Sequence, residues 1–200
     1  MHSAIFESSG SPETDAHLRL VQDFDWATTS IGAVDDWPSE LLLLFHLIIL
    51  DPQPRLLILG PDQLLLYNEA YAEMVGERHP AAIGQPLQIV FPETYKYTTE
   101  ILEEISATGR ASVEKDFCMP LMRNGRLLEI YMSWVFVPFP KKSSLKGASV
   151  ILRDETEKRL SDRRHITCHN LGLALNLATD MSMLWDNILG SLSERYVQLG

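Results

Sequence analysis

The chain has 200 residues, 46% of them hydrophobic, a formal net charge of −10 and two cysteines, Cys118 and Cys168. Such a chain can bury a core and suits one domain with extensions or two small domains. Its acidity argues against nucleic acid as the main partner, because phosphate binding needs a concentrated positive surface. Two cysteines without a Cys-x-x-Cys pair exclude a disulfide framework and point to a reduced, cytoplasmic setting.

Met1–Gly10 lacks a basic start followed by an apolar run, so it does not read as a secretory signal. Residues 1–23 are expected to be a flexible tail, with a helical tendency only near His17–Val21. Residues 24–54 form a cap: a loop carrying Trp26 and Trp37, then a helix opened by Pro38 and ended by Asp51-Pro52-Gln53-Pro54. Leu41–Leu50 is the most apolar stretch. Its ten residues are half of the roughly 20 that cross a bilayer, so a buried helix and no direct membrane span are expected.

Arg55–Leu59 and Leu64–Tyr67 read as strands joined at the turn Gly60-Pro61-Asp62. Asn68 can cap a short helix, Glu69–Val75, that Gly76 ends. His79–Pro92 is irregular, with short helical turns. Tyr97, Ile101, Leu102 and Ile105 recur at helical spacing over Glu93–Thr108, and Gly109 closes that helix. Three strands follow, Ala111–Met122, Leu127–Val137 and Leu145–Leu152. Asn124-Gly125 between the first two is a hairpin signal, because both residues tolerate positive φ. The order predicts an α+β fold: a five-stranded antiparallel sheet with helices on one face, an N-terminal extension and a C-terminal linker helix.

This order resembles the PAS domain, a sensory fold. The resemblance extends to Asp25-Trp26 through Gly32, Trp37-Pro38-Ser39-Glu40-Leu41, Gly60-Pro61-Asp62, Leu66-Tyr67-Asn68-Glu69-Ala70-Tyr71 and His79-Pro80-Ala81-Ala82-Ile83-Gly84. These look like PAS domains at the N-terminus of bacterial and fungal sensor histidine kinases. Asp154-Glu155-Thr156 resembles the Asp-x-Thr with which many PAS domains pass to an output helix. The resemblance covers roughly residues 24–160, with the PAS core at 55–154. It implies a cytoplasmic signal-transduction module in a two-component phosphorelay, an input domain whose downstream signalling domains lie in a longer chain. Asp154 and Thr156 would couple the core to the output helix.

A small-molecule pocket between sheet and helices is the expected site. Strand alternation puts Met132, Trp134 and Phe136 on one face. Val113, Phe117 and Met119 are expected to share it, and Tyr71 and Phe91 to meet it from the helices. Two other readings stand beside a ligand sensor. One is a constitutive homodimerisation scaffold with a dry core. The other is a sensor holding haem or another cofactor, with His46 and His79 as possible ligands. Light-sensing flavin PAS domains carry a reactive cysteine after the first short helix. Val75–Pro80 has none, so a cysteinyl-flavin photoreceptor is not expected and the cofactor stays unassigned. No GxGxxG, Walker or G-x-S-x-G motif marks an enzyme, although the implied parent protein is a histidine kinase. Tyr131, Ser133, Val135 and Cys118 on the opposite face are not the charged set of an open surface. That predicts a cover by the N-terminal helix or by a second copy, hence a homodimer.

Residues 155–200 read as a signalling helix with a coiled-coil-like stripe at Leu160, Leu171, Ala174, Ala178 and Met181, leading into a GAF-type domain by resemblance. His165, Cys168 and His169 fall on one side of it and are weak metal candidates. The helix lacks the Glu of H-E-x-x-H, and no distant cysteine pair completes a four-ligand set, so no metal is assigned. Neither histidine has the acidic neighbour of a kinase phosphoacceptor.

Overall fold

The computed structural model describes residues 10–123, 126–177, 180–183, 185–186 and 188–190, and divides into two compact units after Asp154. In the first unit, helix α1 (Pro12–Asp23) starts where the Ser11 side chain accepts from the Thr14 amide and Pro12 presets the first turn. The expectation of a flexible tail over residues 1–23 therefore fails across this helix. Its apolar face, with Leu18 and Val21, is buried, and the polar ring of His17 is buried with it. Two single 3-10 turns follow, Trp26–Thr28 and Val34–Asp36, then α2 (Ser39–Ile49). Phe24, Trp26, Trp37 and Phe45 make a chain of edge-to-face ring contacts 4.7 to 6.2 Å between centroids.

Strands β1 (Arg55–Leu59) and β2 (Leu64–Tyr67) form the first hairpin. Asn68 then caps α3 (Glu69–Val75), and Gly76 ends it with φ +62°. After α4 (Leu87–Val90) comes the long α5 (Pro92–Thr108), closed by Gly109 in the left-handed conformation. Strands β3 (Ser112–Arg123), β4 (Arg126–Pro138) and β5 (Gly147–Asp154) complete the sheet. The Asn124-Gly125 turn expected between β3 and β4 lies outside the described residues. The strand order is β2-β1-β5-β4-β3, and every neighbouring pair is antiparallel. The last strand therefore enters between the first and the fourth.

The sheet's two faces are covered differently. Leu56, Ile58, Val150, Leu152, Trp134 and Phe136 pair across the ladders and share the face of α3, α4 and α5. Leu57, Leu59, Leu64 and Leu66 point to the other face, and each is at most 3% exposed. Helix α2 packs against β1 and buries Leu41, Leu42, Phe45, Ile48 and Ile49 in the same core. The N-terminal cap thus closes the β1–β2 half. Toward β3 the second face opens: Val137 is 40% exposed and Val113 54%.

One irregularity decides which face β3 offers. Glu114 pairs with Trp134, but the next pairing is Phe117 with Met132, so three steps on β3 match two on β4. This bulge inverts the strand's alternation. Val113 consequently pairs with Val135 on the second face, not on the face of Trp134 where simple alternation puts it.

In the second unit, α6 (Thr156–Leu177) is a single helix. Asp180 then accepts from the Met183 amide, capping a new helical start, so the described helix is not continuous from 155 onward. The apolar residues of α6 are not gathered on one side. Leu160, Thr167 and Leu171 fall together at 3.6 residues per turn, while exposed Ile166 and Leu173 fall opposite. Ala178 and the side chain of Ala174 lie outside the described residues, and Met181 is exposed.

Candidate functional site

A cavity opens between the sheet and helices α3–α5. It holds about 40 Å³ for the centres of water-sized molecules. One water needs roughly 10–15 Å³ by that measure, so the space fits about three waters or a ligand of a few atoms. The sheet contributes Leu56 and Ile58 from β1, Met132, Trp134 and Phe136 from β4, and Val150 and Leu152 from β5. Tyr71 and Met74 come from α3, Leu87 from α4, Phe91 from the α4–α5 junction, and Thr94 and Thr98 from α5.

Five of the residues expected at a pocket therefore meet around one space: Tyr71, Phe91, Met132, Trp134 and Phe136. Val113 does not, because the bulge turns it to the second face. The register sets Phe117 opposite Met132 and Met119 opposite Ile130, but their side chains lie outside those described. Sequence reasoning misses Thr94 and Thr98. Their signal is the spacing 94, 98, 101, 105, which extends the buried stripe of Ile101 and Ile105 back by two turns.

Among the described residues no charged side chain lines the space. Burial raises the pKa of the Tyr71 phenol above its ordinary value, keeping it neutral. Phe91 is held from behind by Arg78, whose guanidinium sits 4.9 Å from the ring centroid and donates to the Val90 carbonyl and Glu93 carboxylate at 2.7 Å. Glu114, brought to this side of the sheet by the bulge, accepts from the Tyr97 hydroxyl of α5. Burial, aided by that bond, pushes the Tyr97 pKa up to about 12.

Neither His46 nor His79, the candidate haem ligands, lines the cavity. The His79 Nδ1 is 3.1 Å from the Tyr67 hydroxyl, and its ring stacks on His17. His165, Cys168 and His169 are not buried on α6. Among the described residues no three His, Cys, Asp or Glu side chains gather as a metal site, and no helix is long and apolar enough to cross a membrane.

The order β2-β1-β5-β4-β3, with α3–α5 between β2 and β3 on one face, is the PAS fold. The chain is similar to the PAS domain of BvgS from Bordetella pertussis, at 20% identity and a TM-score of 0.47, over 64% of this chain and 98% of that one. It is similar to a sensory box sensor histidine kinase from Vibrio cholerae, at 17% identity and a TM-score of 0.39, over 58% of this chain and 91% of that one. A third likeness is to phage VqmA in complex with DPO, at 14% identity and a TM-score of 0.48, over 76% of this chain and 73% of that one. No family model matches the chain, and no curated protein matches it.

Proposed function

We propose that this chain is a sensory PAS module whose cavity binds a small molecule and whose C-terminal helix carries the signal to downstream domains. The observation that carries the reading is the overlap between the cavity and the end of the sheet. Met132 and Leu152 line the cavity, Met132 pairs with Asp154, and Asp154 is the last residue of β5. A ligand that shifts Met132 or Leu152 acts on the terminal rungs of the β4–β5 ladder, two residues before α6 begins. Binding then biases one arrangement of Asp154 and Thr156 over another, which is what coupling requires.

In this reading the module is the cytoplasmic input domain of a two-component histidine kinase, and a small molecule is its ligand. The net charge of −10 disfavours nucleic acid in that role. Native mass spectrometry of freshly purified protein tests for a retained small molecule. In the full-length parent, Asp154→Ala should leave ligand binding intact and abolish ligand-dependent kinase regulation. Unchanged regulation would remove Asp154 from the coupling.

A homodimer is part of the proposal. Leu43 and Leu47 on α2 and Leu50 at its C-cap recur at i, i+4 and i+7 and are 60%, 59% and 52% exposed. An apolar ridge of this kind is what a second copy would cover. Light scattering of wild type and Leu47→Glu tests it: a dimer that dissociates in the variant is expected, and a wild-type monomer at high concentration refutes it. A dimer that never retains a small molecule would favour the dry scaffold over the sensor.

A further inference from the structure

The cavity's hydroxyl-bearing side chains all come from its helical side. Thr94, Thr98 and Tyr71 are 8%, 3% and 6% exposed, and all three line the cavity. Thr94 and Thr98 stand one turn apart on α5 and so present both hydroxyls on one side. A buried threonine in a helix often returns its hydroxyl to a carbonyl of the preceding turn, as Thr108 does to Glu104 at 2.9 Å. Among the described residues, no group bonds to the hydroxyls of Thr94, Thr98 or Tyr71.

None of the three hydroxyls is among the buried atoms left without a partner, so each faces the cavity space and takes its partner from what fills it, water or a ligand. The same groups recognise a ligand that brings its own donor and acceptor. An ionic ligand would lose its hydration and meet no counter-charge among the described lining residues, which disfavours it.

Resting on the small-molecule reading above, we propose that the cavity takes a compact neutral amphiphile of about three to five non-hydrogen atoms, an alcohol, ketone or simple amide, held through these hydroxyls. The apolar part packs on Leu56, Ile58 and Val150, and the polar end meets Thr94, Thr98 and Tyr71.

Methyl-labelled protein titrated with three probes, 1-propanol, propionate and xenon, and followed by NMR tests this. Propanol should shift the methyl signals of Ile58, Val150 and Leu152, and propionate should leave them in place. In the variant Thr94→Val/Thr98→Val, propanol affinity should fall about fivefold or more, while xenon binds as in the wild type. Propionate binding as well as propanol, or a variant that keeps full propanol affinity, overturns the ligand class and leaves the cavity reading intact. If neither xenon nor propanol reaches the cavity signals, the small-molecule reading itself fails, and this inference with it.

Discussion

The His17 Nε2 of helix α1 lies 2.7 Å from the Tyr67 carbonyl at the end of β2, and its ring stacks on His79 at 5.5 Å. Because a carbonyl only accepts, Nε2 carries the proton, and Nδ1 is left buried with no partner among the described residues. This bond fastens the N-terminal helix to the PAS core, together with the bond from Thr14 to Glu69.

Acid should loosen that attachment. Burial lowers the His17 pKa below its ordinary 6.5, and the nearby His79 adds to the effect; the Tyr67 carbonyl and Glu69 oppose it and are outweighed. The His79 pKa is lowered by burial as well. The unfolded chain thus binds more protons than the folded one below pH 6.5, so the stabilisation is full above that pH and is lost as pH falls through the folded pKa. Urea denaturation at about pH 7.5 and 5.5, on either side of the unfolded value, should show a smaller acid-induced loss in His17→Gln, which keeps a donor for Tyr67 and cannot titrate. Equal losses in the two proteins would exclude His17 as the group responsible.

Asn68 should be among the least replaceable residues. Its side-chain amide donates to the carbonyls of Ile48, Asp51 and Gln53 at 3.1, 2.8 and 2.8 Å, and its oxygen accepts from the Arg55 and Tyr71 amides at 3.0 Å. One buried side chain thus ties the end of α2, the start of β1 and the start of α3. Asn68→Ala should cost about 3 kcal/mol or more in a urea titration, since several buried backbone groups lose their partner at once. A loss under about 1 kcal/mol would show that water replaces the side chain at these bonds.

Gly147 and Gly109 should respond differently to alanine. Gly147 has φ +124°, and a Cβ there would lie 1.8 Å from the Ile58 carbonyl oxygen, within the β1–β5 ladder. Backbone must move, so Gly147→Ala should prevent folding to a soluble product. At Gly109, with φ +72°, the nearest atom is the end of Lys141 at 3.5 Å, so alanine should cost only about 1–2 kcal/mol of backbone strain. A folded Gly147→Ala as stable as Gly109→Ala would contradict the pairing of Gly147 with Leu59 at this strand pair.

Thr98→Val should raise the ligand-free stability. It replaces a cavity-facing hydroxyl by a methyl group in an otherwise apolar lining at nearly constant volume, for a gain of about 1 kcal/mol in urea denaturation. A loss of that size would mean that ordered water satisfies the hydroxyl.

What is legible in the chain is local. Helix α3 is bounded by Asn68, which caps it, and by Gly76, which ends it; the β1–β2 turn is written in Gly60-Pro61-Asp62. The PAS resemblance rests on the same short stretches, and the aromatic and sulfur-bearing positions of β4 follow from simple alternation. Helix α1 reads as a tail because a histidine and scattered charges make a weak apolar stripe. Its burial depends on Tyr67 and His79, some 50 and 62 positions away from His17.

By itself the sequence determined the element order, the fold class and the cavity-facing residues of β4, because caps, turns and strand alternation act between neighbours a few residues apart. Only the tertiary structure decided that Val113 leaves the inner face, that Thr94 and Thr98 join the cavity, and that His17 fastens α1. A bulge is a mismatch between two strands, a cavity is what several elements fail to fill, and a buried hydrogen bond needs its distant partner. None of these is a property of one segment.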